Sequence, residues 1–235
     1  GGSRNTAMNN SGGAGTQTAA LAFGGYVTSP ASYSNKTESY NGTSWTELNN
    51  MTTGRTGVRG TGTQTAALAF GGFSPPEVAN TETWNGTNWT EVNDLNSARS
   101  DMGSSTAGLA TAAITFGGAN PPGTGLAVTE SYNGTNWTEV NDLNTARRSL
   151  NGAGADNTSA LGFGGYVGGG YKTQTEEWNG VSWVEVADLS TARSQSSNIG
   201  TQALALAAGG YDNNSLTTTE EWSGSTVLTK TITTD

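Results

Sequence analysis

The chain repeats itself at intervals of 45 to 47 residues, and this repetition limits the folds that it can adopt. The segment Thr-Gln-Thr-Ala-Ala-Leu-Ala-Phe-Gly-Gly occupies 16–25 and recurs unchanged at 63–72. Looser copies end in Gly-Gly at 117–118, 164–165 and 209–210. A period of about 20–50 residues is typical of solenoids and propellers, in which each repeat is one supersecondary unit. The sequence therefore predicts five such units.

Two further markers accompany the Gly-Gly pair in a constant order. An aromatic-Asn-Gly-x-x-Trp segment occupies 40–45, 84–89, 132–137 and 178–183, whereas the fifth copy has Val227 in place of its second Trp. An Arg precedes each later copy, and Arg4 begins the first unit with four extra residues before its repeat. Because these positions recur in nearly every unit, we expect structural roles for them. They are Gly24, Gly25, Gly71, Gly72, Gly117, Gly118, Gly164, Gly165, Gly209, Gly210, Trp45, Trp89, Trp137, Trp183, Arg55, Arg99, Arg147 and Arg193.

Each marker has a physical reason to recur. Gly-Gly permits a bend and a close approach of neighbouring sheets, and the Tyr and Trp pairs supply large apolar areas. The recurring Arg is predicted either to pair with a recurring Glu of the third strand or to stack on a Trp. Those glutamates are Glu38, Glu82, Glu130, Glu176 and Glu220.

Every repeat predicts four short β-strands. In the second repeat a small polar stretch precedes 66–70, in which Leu and Phe alternate with Ala. Asn85-Gly86 predicts a type I′ hairpin turn with positive φ at both residues, and the fourth strand follows at 88–92. No segment shows helical periodicity. The predicted fold is all-β, a five-bladed β-propeller with four antiparallel strands per blade in one domain, 1–235. The predicted blades are 4–51, 52–95, 96–143, 144–189 and 190–235.

The composition is compatible with this fold although it is poor in aliphatic residues. Leu, Ile, Val and Phe make up 33 of 235 residues, about 14%, below the roughly 20% at which disorder becomes the usual interpretation. The net charge is only -9, however, so the chain is not a self-repelling polyanion. Its apolar content lies in Ala, Gly and Trp. Five blades close on a narrow axis, which favours innermost strands of Gly, Ala and Ser.

These markers resemble the kelch repeat, in which a hydrophobic strand ends in Gly-Gly, a Tyr and a Trp follow, and an Arg precedes the next blade. The resemblance extends from about Arg4 to Trp222 and implies a propeller whose loop face binds partners. The interval from Tyr to Trp is shorter here than in the family, and five blades are fewer than its usual six or seven. The copper site of the galactose oxidase relatives requires His and Cys, which this chain lacks, so that activity does not carry over.

The absence of His and Cys removes several classes of chemistry: catalytic triads, thiol nucleophiles, and imidazole or thiolate metal sites. We expect no cofactor and no metal. The acidic chain has no basic footprint for nucleic acid, no apolar run long enough for a membrane helix and no signal peptide at its start. Most carboxylates recur with the repeat, and among the irregular ones only Asp101 lies near an inner strand. A single carboxylate is not the pair that glycoside hydrolysis needs, so we expect a protein that is not an enzyme.

The most divergent segments join the second and third strands: 26–37, 73–81, 119–129, 166–175 and 211–219. They include the Pro pair at 121–122 and Gly168-Gly169-Gly170, which predicts a flexible loop. Counted back from Phe70, Arg59 aligns with Gly12, Ser105, Gly152 and Ser197, so a lone cation is expected beside the axis. The candidate ligand-binding residues are Tyr26, Tyr33, Phe73, Tyr166, Tyr171, Tyr211, Arg59 and Asp101.

The sequence therefore predicts a monomeric, soluble binding module that engages a protein or a carbohydrate through its variable-loop face. Exposed Tyr among Asn, Ser and Gly is typical of adaptable recognition surfaces and of sugar-stacking sites. The Ser/Thr/Asn-rich repeats resemble those of bacterial or phage surface proteins, which implies a cell surface or a virion as the location. Two alternatives remain open: a repeat scaffold with no evolved ligand, amplified or engineered from one blade, and a carboxylate-based carbohydrate hydrolase.

Overall fold

The computed structural model describes residues 1–120 and 124–224, together with the backbone of 227–230. The described residues form no helix, so none there is long and apolar enough to cross a membrane. Their strands form five four-stranded antiparallel sheets and three two-stranded sheets. The chain is a five-bladed β-propeller, which confirms the predicted fold class.

The strands follow one another in the same order in every repeat. The first repeat contains β1 (Gly12–Thr16), β2 (Ala19–Phe23), β3 (Tyr26–Thr28), β4 (Ala31–Tyr33), β5 (Thr37–Tyr40) and β6 (Trp45–Glu47). The second contains β7 (Arg59–Gly62), β8 (Ala67–Phe70), β9 (Thr81–Trp84) and β10 (Trp89–Val92). The third contains β11 (Gly103–Ser104), β12 (Ala113–Phe116), β13 (Ala119–Asn120), β14 (Thr124–Gly125), β15 (Thr129–Tyr132) and β16 (Trp137–Val140).

The last two repeats keep this order. The fourth contains β17 (Asn151–Asp156), β18 (Ser159–Phe163), β19 (Tyr166–Val167), β20 (Gly170–Tyr171), β21 (Thr175–Trp178) and β22 (Trp183–Glu185). The fifth contains β23 (Ser197–Gly200), β24 (Leu204–Ala208), β25 (Thr219–Ser223) and β26 (Val227–Lys230). The predicted outer strand of that repeat, 227–234, is present up to Lys230, and the remainder lies outside the described residues, as does the Pro pair at 121–122.

Neighbouring strands pair in sequence order from the inside of each four-stranded sheet to the outside. The sheets run β1-β2-β5-β6, β7-β8-β9-β10, β11-β12-β15-β16, β17-β18-β21-β22 and β23-β24-β25-β26. In β8 all four residues are buried, since both faces of a blade are covered. That double burial explains why the second strand is a continuous run of Ala, Leu and Phe and carries no polar face.

The Asn-Gly turns differ from the prediction. Only the glycine has positive φ: Gly86, for example, has a φ of 91°. The backbone N–H of Asn85 donates to the carbonyl of Asn88 at 3.3 Å. The side-chain oxygen of Asn85 accepts from the N–H groups of Thr87 and Asn88, each at 2.9 Å. The connection is therefore a four-residue loop held by an Asn side chain, and the predicted type I′ turn is wrong because the Asn side chain supplies the contact that fixes the loop.

The described chain divides into two compact units. The first comprises Gly1–Ser100, Gly108–Ala113 and Tyr132–Thr138, and the second comprises Asp101–Ala107, Ile114–Ser131 and Glu139–Asp235.

The core of the first unit lies between successive sheets. Leu21 and Phe23 of β2 pack with Ala67 and Ala69 of β8 and with the Trp pair of the second outer hairpin. The Phe23 and Trp89 rings meet edge to face, with centroids 4.9 Å apart. The indole N–H of Trp89 donates to the hydroxyl of Thr37 at 2.8 Å, which satisfies a buried polar group across the two sheets. Small Ala on one sheet thus makes room for large rings on the other.

The second unit repeats this arrangement. Phe116 packs against Trp183 with ring centroids 4.6 Å apart, and the indole of Trp183 donates to Thr129 at 3.0 Å. A further cluster joins Leu161 and Phe163 of β18 to Ala205 and Ala207 of β24. Each core is one layer thick, so a few Trp and Phe rings replace the missing aliphatic mass.

The recurring Arg pairs with the recurring Glu wherever the structure gives the distance. The nitrogen-to-oxygen distances are 3.5 Å for Arg4–Glu38, 2.9 Å for Arg55–Glu82, 2.7 Å for Arg147–Glu176 and 2.5 Å for Arg193–Glu220. Burial lowers the pKa of the Arg55 guanidinium, and the carboxylate of Glu82 opposes that shift. The same glutamates also accept backbone N–H groups of the inter-blade loop, as Glu176 does from Asn144 at 2.7 Å. In these four blades the pair joins the start of the blade to its third strand.

Candidate ligand-binding site

The segments that join the second and third strands are built as small hairpins on three of the five blades. Strands β3 and β4, β13 and β14, and β19 and β20 form these hairpins. In the fourth blade the connecting residues Gly168 and Gly169 have φ values of 59° and 82°. Positive φ at both positions is what a two-residue hairpin turn requires. The flexible loop expected at 168–170 is thus a tight turn, and the hairpin holds its aromatic residues in a defined register.

In the second unit three tyrosines form a continuous row. Tyr166 and Tyr171 stand opposite each other on β19 and β20, with ring centroids 5.2 Å apart and an interplanar angle of 68°. Tyr171 meets Tyr211, from the next blade, at 5.8 Å and 78°. Tyr211 is 41% exposed, and the other two rings are half-buried. All three were predicted as ligand-binding residues, and the structure brings them together.

An arginine lies at one end of this row. The guanidinium carbon of Arg148 is 5.0 Å from the centroid of the Tyr166 ring, a cation–π distance. The two backbones also exchange hydrogen bonds, from Arg148 N to Tyr166 O at 3.1 Å and from Tyr166 N to Arg148 O at 2.8 Å. Within the described residues the guanidinium has no carboxylate within ion-pair distance, unlike the marker arginines with recorded pairs. Arg148 is thus a half-buried cation whose side chain contacts an aromatic ring.

The row borders a cavity of about 310 Å³. That volume is at the small end of the range for ligand pockets, about 300–1,000 Å³. The cavity combines aromatic walls with one cation and a few hydroxyl and amide groups. Its lining consists of Arg148, Ser149, Tyr166, Tyr171, Ser194, Gln195 and Tyr211.

The polar part of the lining rests on an unusual backbone. Ser149 and Gln195 have φ values of 52° and 53°, in the left-handed region that residues other than glycine rarely adopt. The N–H of Gln195 donates to Ser149 O at 3.1 Å, and the N–H of Ser149 donates to Asp101 O at 2.8 Å. These bonds link equivalent positions of consecutive blades and hold the strained residues in place.

Asp101, a predicted ligand-binding residue, belongs to this chain of bonds. Its φ is 55°, and its carboxylate accepts the Ser149 hydroxyl at 3.4 Å. It therefore lies directly behind a lining residue of the cavity.

The Tyr171 hydroxyl has a raised pKa. The first cause is its removal from water, and the neighbouring hydroxyls of Tyr211 and Tyr166 add to the shift. Because the shift is upward, Tyr171 stays protonated well above neutral pH and remains a hydrogen-bond donor. The cavity consequently offers hydroxyl, amide and guanidinium donors at physiological pH.

The first unit contains a matching row. Tyr26 and Tyr33 stand opposite each other on β3 and β4 with centroids 5.5 Å apart, and Tyr33 meets Phe73 at 5.6 Å and 70°. The residue that bridges to Tyr26 is Asn9, in the position that Arg148 occupies relative to Tyr166. The two rows therefore have similar aromatic spacing, and they differ in the third ring, Phe73 against Tyr211, and in Asn9 against the charged Arg148.

Arg59 is in the first unit, half-buried in β7 and in register with Phe70. The same register places Gly103 opposite Phe116 and Asn151 opposite Phe163. The alignment of Arg59 with Ser105 and Gly152 is therefore wrong, because the number of residues between the first two strands differs among blades. The alignments with Gly12 and Ser197 are correct.

The prediction missed Arg148, Ser149 and Gln195. Arg148 had a signal in the sequence, since it departs from the repeat: the residue after the marker Arg is Thr56, Ser100 and Ser194 in other copies. Ser149 and Gln195 had none, because their role depends on a backbone conformation that non-glycine residues seldom show.

No cluster of three acidic residues suited to a metal ion occurs in the part of the chain that the structure describes. The comparisons with known proteins found no family model and no curated protein that matches this chain.

Proposed function

We propose that this propeller is a non-enzymatic binding module that engages carbohydrate through its two aromatic rows. The observation that carries the proposal is the duplicated row itself: each unit has three aromatic rings with centroids 5.2 to 5.8 Å apart on the hairpin side of the blades. A mixture of flat apolar faces and hydroxyl groups suits a sugar, whose ring has apolar C–H faces and a polar rim. The cavity beside the second row supports binding of one sugar residue of a short saccharide.

The positions of the Gly-Gly, Arg and aromatic markers in equivalent places of each sheet support the kelch-type relationship as part of this proposal. Buried Arg–Glu pairs and Trp cores then hold the blades, and the hairpins are left to vary. Binding through variable loops on a rigid scaffold is the usual division of labour in such folds.

The distribution of carboxylates supports binding over hydrolysis. Glu82, Glu176 and Glu220 are buried in ion pairs, so they do not serve as acid and base for a substrate. The residues described as lining the cavity include no carboxylate, and Asp101 contacts the lining residue Ser149. Turnover of chromogenic glycosides that is abolished by Asp101→Asn would instead establish the hydrolase alternative.

The test is a glycan array followed by calorimetry on the sugars that bind. We expect Tyr171→Ala and Tyr33→Ala, which remove the central ring of each row, to weaken binding about tenfold or more, since each central ring contacts both of its neighbours in the row. Val181→Ala is the matched control, because Val181 is 69% exposed in an outer hairpin turn and contacts neither row. Carbohydrate binding predicts up to two sites per chain. Failure of every glycan to bind would refute the proposal and favour the scaffold without an evolved ligand.

A protein partner is the second candidate, and the exposure of Tyr211 favours it. A partner protein that spans the hairpins would bind once per chain and would respond to Tyr211→Ala more strongly than to changes inside the cavity. The two candidates are separated by the substitutions, because a protein partner predicts a greater loss on Tyr211→Ala than on Tyr171→Ala or Tyr33→Ala.

A further inference from the structure

We propose that the cavity of the second unit binds an acidic saccharide whose carboxylate pairs with Arg148. The inference rests on the proposed function, since it names the sugar class that one of the two rows takes. It assigns the first row, which has Asn9 in the corresponding place, to neutral sugars.

Arg148 differs from the marker arginines in what surrounds its guanidinium. The other arginines whose ion pairs are known, Arg4, Arg55, Arg147 and Arg193, each have a Glu within 3.5 Å. Arg148 has no such partner within the described residues, although it is half-buried and therefore partly desolvated. A desolvated guanidinium that lacks an anion costs free energy, and a carboxylate ligand removes that cost.

The guanidinium of Arg148 has donors in a geometry that suits a carboxylate. The guanidinium carbon lies 5.0 Å from the centroid of the Tyr166 ring, and the planar guanidinium carries five N–H donors along its edge. A carboxylate on the rim of a sugar approaches that edge in the plane of the guanidinium, where two parallel N–H···O bonds form. The sugar ring is then adjacent to the Tyr171 and Tyr211 faces, which are next in the row.

The remaining lining supplies hydrogen-bonding groups. Ser149 and Gln195 add a hydroxyl and an amide at the polar side of the cavity, and the Tyr171 hydroxyl remains a donor at neutral pH. These groups suit the hydroxyls of a sugar better than the apolar body of a fatty or aromatic acid, which would leave buried polar groups unpaired.

Two carboxylates lie close enough to oppose an anion, and both already have partners. Asp101 accepts the Ser149 hydroxyl at 3.4 Å, and Asp212 accepts the N–H of Asn214 at 3.2 Å within its turn. The net charge of -9 is spread over the chain, and at physiological ionic strength charges beyond about 8 Å are largely screened. The attraction between a ligand carboxylate and Arg148 in direct contact is therefore stronger than the repulsion from the distant acidic residues of the chain.

The test uses trimers of galacturonate, glucuronate and mannuronate, with their methyl esters as controls that keep the sugar and remove the charge. We expect at least one uronate trimer to bind the wild-type chain about 10- to 100-fold more tightly than its ester, the range for a hydrogen bond to a charged group. Arg148→Asn, which introduces the residue found at Asn9 in the first row, should abolish this preference. Binding of the neutral methyl-ester trimers should remain unchanged. Asn9→Arg should add a second uronate site, measured as a stoichiometry of two by calorimetry.

The outcomes distinguish this inference from the proposed function. If neutral trimers and uronates bind alike, or if Arg148→Asn leaves the Kd for uronates unchanged, the inference is wrong while carbohydrate binding stands. If no trimer and no glycan of the array binds, both are wrong. Near-UV circular dichroism and the unfolding midpoint of Arg148→Asn, expected to match the wild type, exclude loss of fold as the cause of lost binding.

Discussion

The buried ion pair of Arg147 and Glu176 gives a sharp test of how the blades are held. Their side chains are 0% and 2% exposed, and the nitrogen-to-oxygen distance is 2.7 Å. Arg147 also donates to the carbonyls of Gly164 at 2.9 Å and Gln174 at 2.6 Å. The perturbation is Arg147→Met, which keeps most of the apolar stem and removes the guanidinium.

The expected cost follows from what remains behind. Without the guanidinium the Glu176 carboxylate stays buried with only the backbone and side-chain N–H groups of Asn144 as partners, at 2.7 and 2.8 Å. The carbonyls of Gly164 and Gln174 each lose a buried donor. Breaking a buried pair in this way costs about 3–5 kcal/mol. A value of about 4 kcal/mol lowers the folding equilibrium constant roughly 1,000-fold.

Urea unfolding followed by Trp fluorescence and by far-UV circular dichroism measures this cost, provided that the two transitions coincide. The control is Lys36→Met, because the Lys36–Glu47 pair is 3.2 Å long but 38% and 47% exposed. Such a surface pair contributes at most about 1 kcal/mol.

A double variant identifies the physical cause. Arg147→Met combined with Glu176→Gln removes the uncompensated charge, so it should be more stable than Arg147→Met alone. The reasoning is refuted if Arg147→Met costs no more than Lys36→Met, or if the double variant is the less stable of the two.

Two further predictions concern packing and pH. A Cβ added at Gly152 would lie 2.4 Å from the backbone oxygen of Ser104, so Gly152→Ala should destabilise the chain by about 1–3 kcal/mol. The control is Gly170→Ala, which should be nearly neutral because there is open space around Gly170. Equal unfolding midpoints for the two variants would contradict this prediction. The Asp156 carboxylate accepts from the hydroxyl and N–H of Thr158 at 2.6 and 2.8 Å, and the hydroxyl bond, the largest cause, lowers its pKa. The contribution of Asp156 to stability is therefore present above its unfolded pKa and is lost as the pH falls through the lower folded pKa. The difference in unfolding free energy between the wild type and Asp156→Asn should consequently shrink in acid. A difference that is independent of pH would contradict this prediction.

The repeat pattern in the sequence was sufficient to predict most of the fold. The period, the alternation within 66–70 and the Asn-Gly and Trp positions were sufficient to predict five blades of four antiparallel strands. Local rules succeed here because the same short pattern occurs five times, so an error in one copy is corrected by the others. The turn at Asn85 is an instructive failure: the dipeptide predicts type I′ geometry, but the Asn side chain accepts two N–H groups and selects a four-residue loop.

The candidate site was predictable only in part. Tyr166, Tyr171 and Tyr211 could be proposed from composition and from the divergence of their segments, since aromatic residues in variable loops suggest recognition. Their assembly into one row depends on the register of β19 with β20 and on the packing of consecutive blades, neither of which the local sequence specifies.

What the amino-acid pattern established is the architecture: five thin all-β blades with Trp and Ala in place of an aliphatic core, because periodicity and hydrogen bonding are local and repeated. Only the tertiary structure shows which unusual arginine lies at the candidate ligand-binding site. Arg59 and Arg148 each occur at a position where the other repeats have no Arg, and the sequence around them does not indicate which one belongs to a binding site. In the folded chain Arg148 lies over the Tyr166 ring beside a cavity, whereas Arg59 lies in an inner strand opposite Phe70. Strand register and the surroundings of each guanidinium made that distinction, and both exist only when the chain is folded.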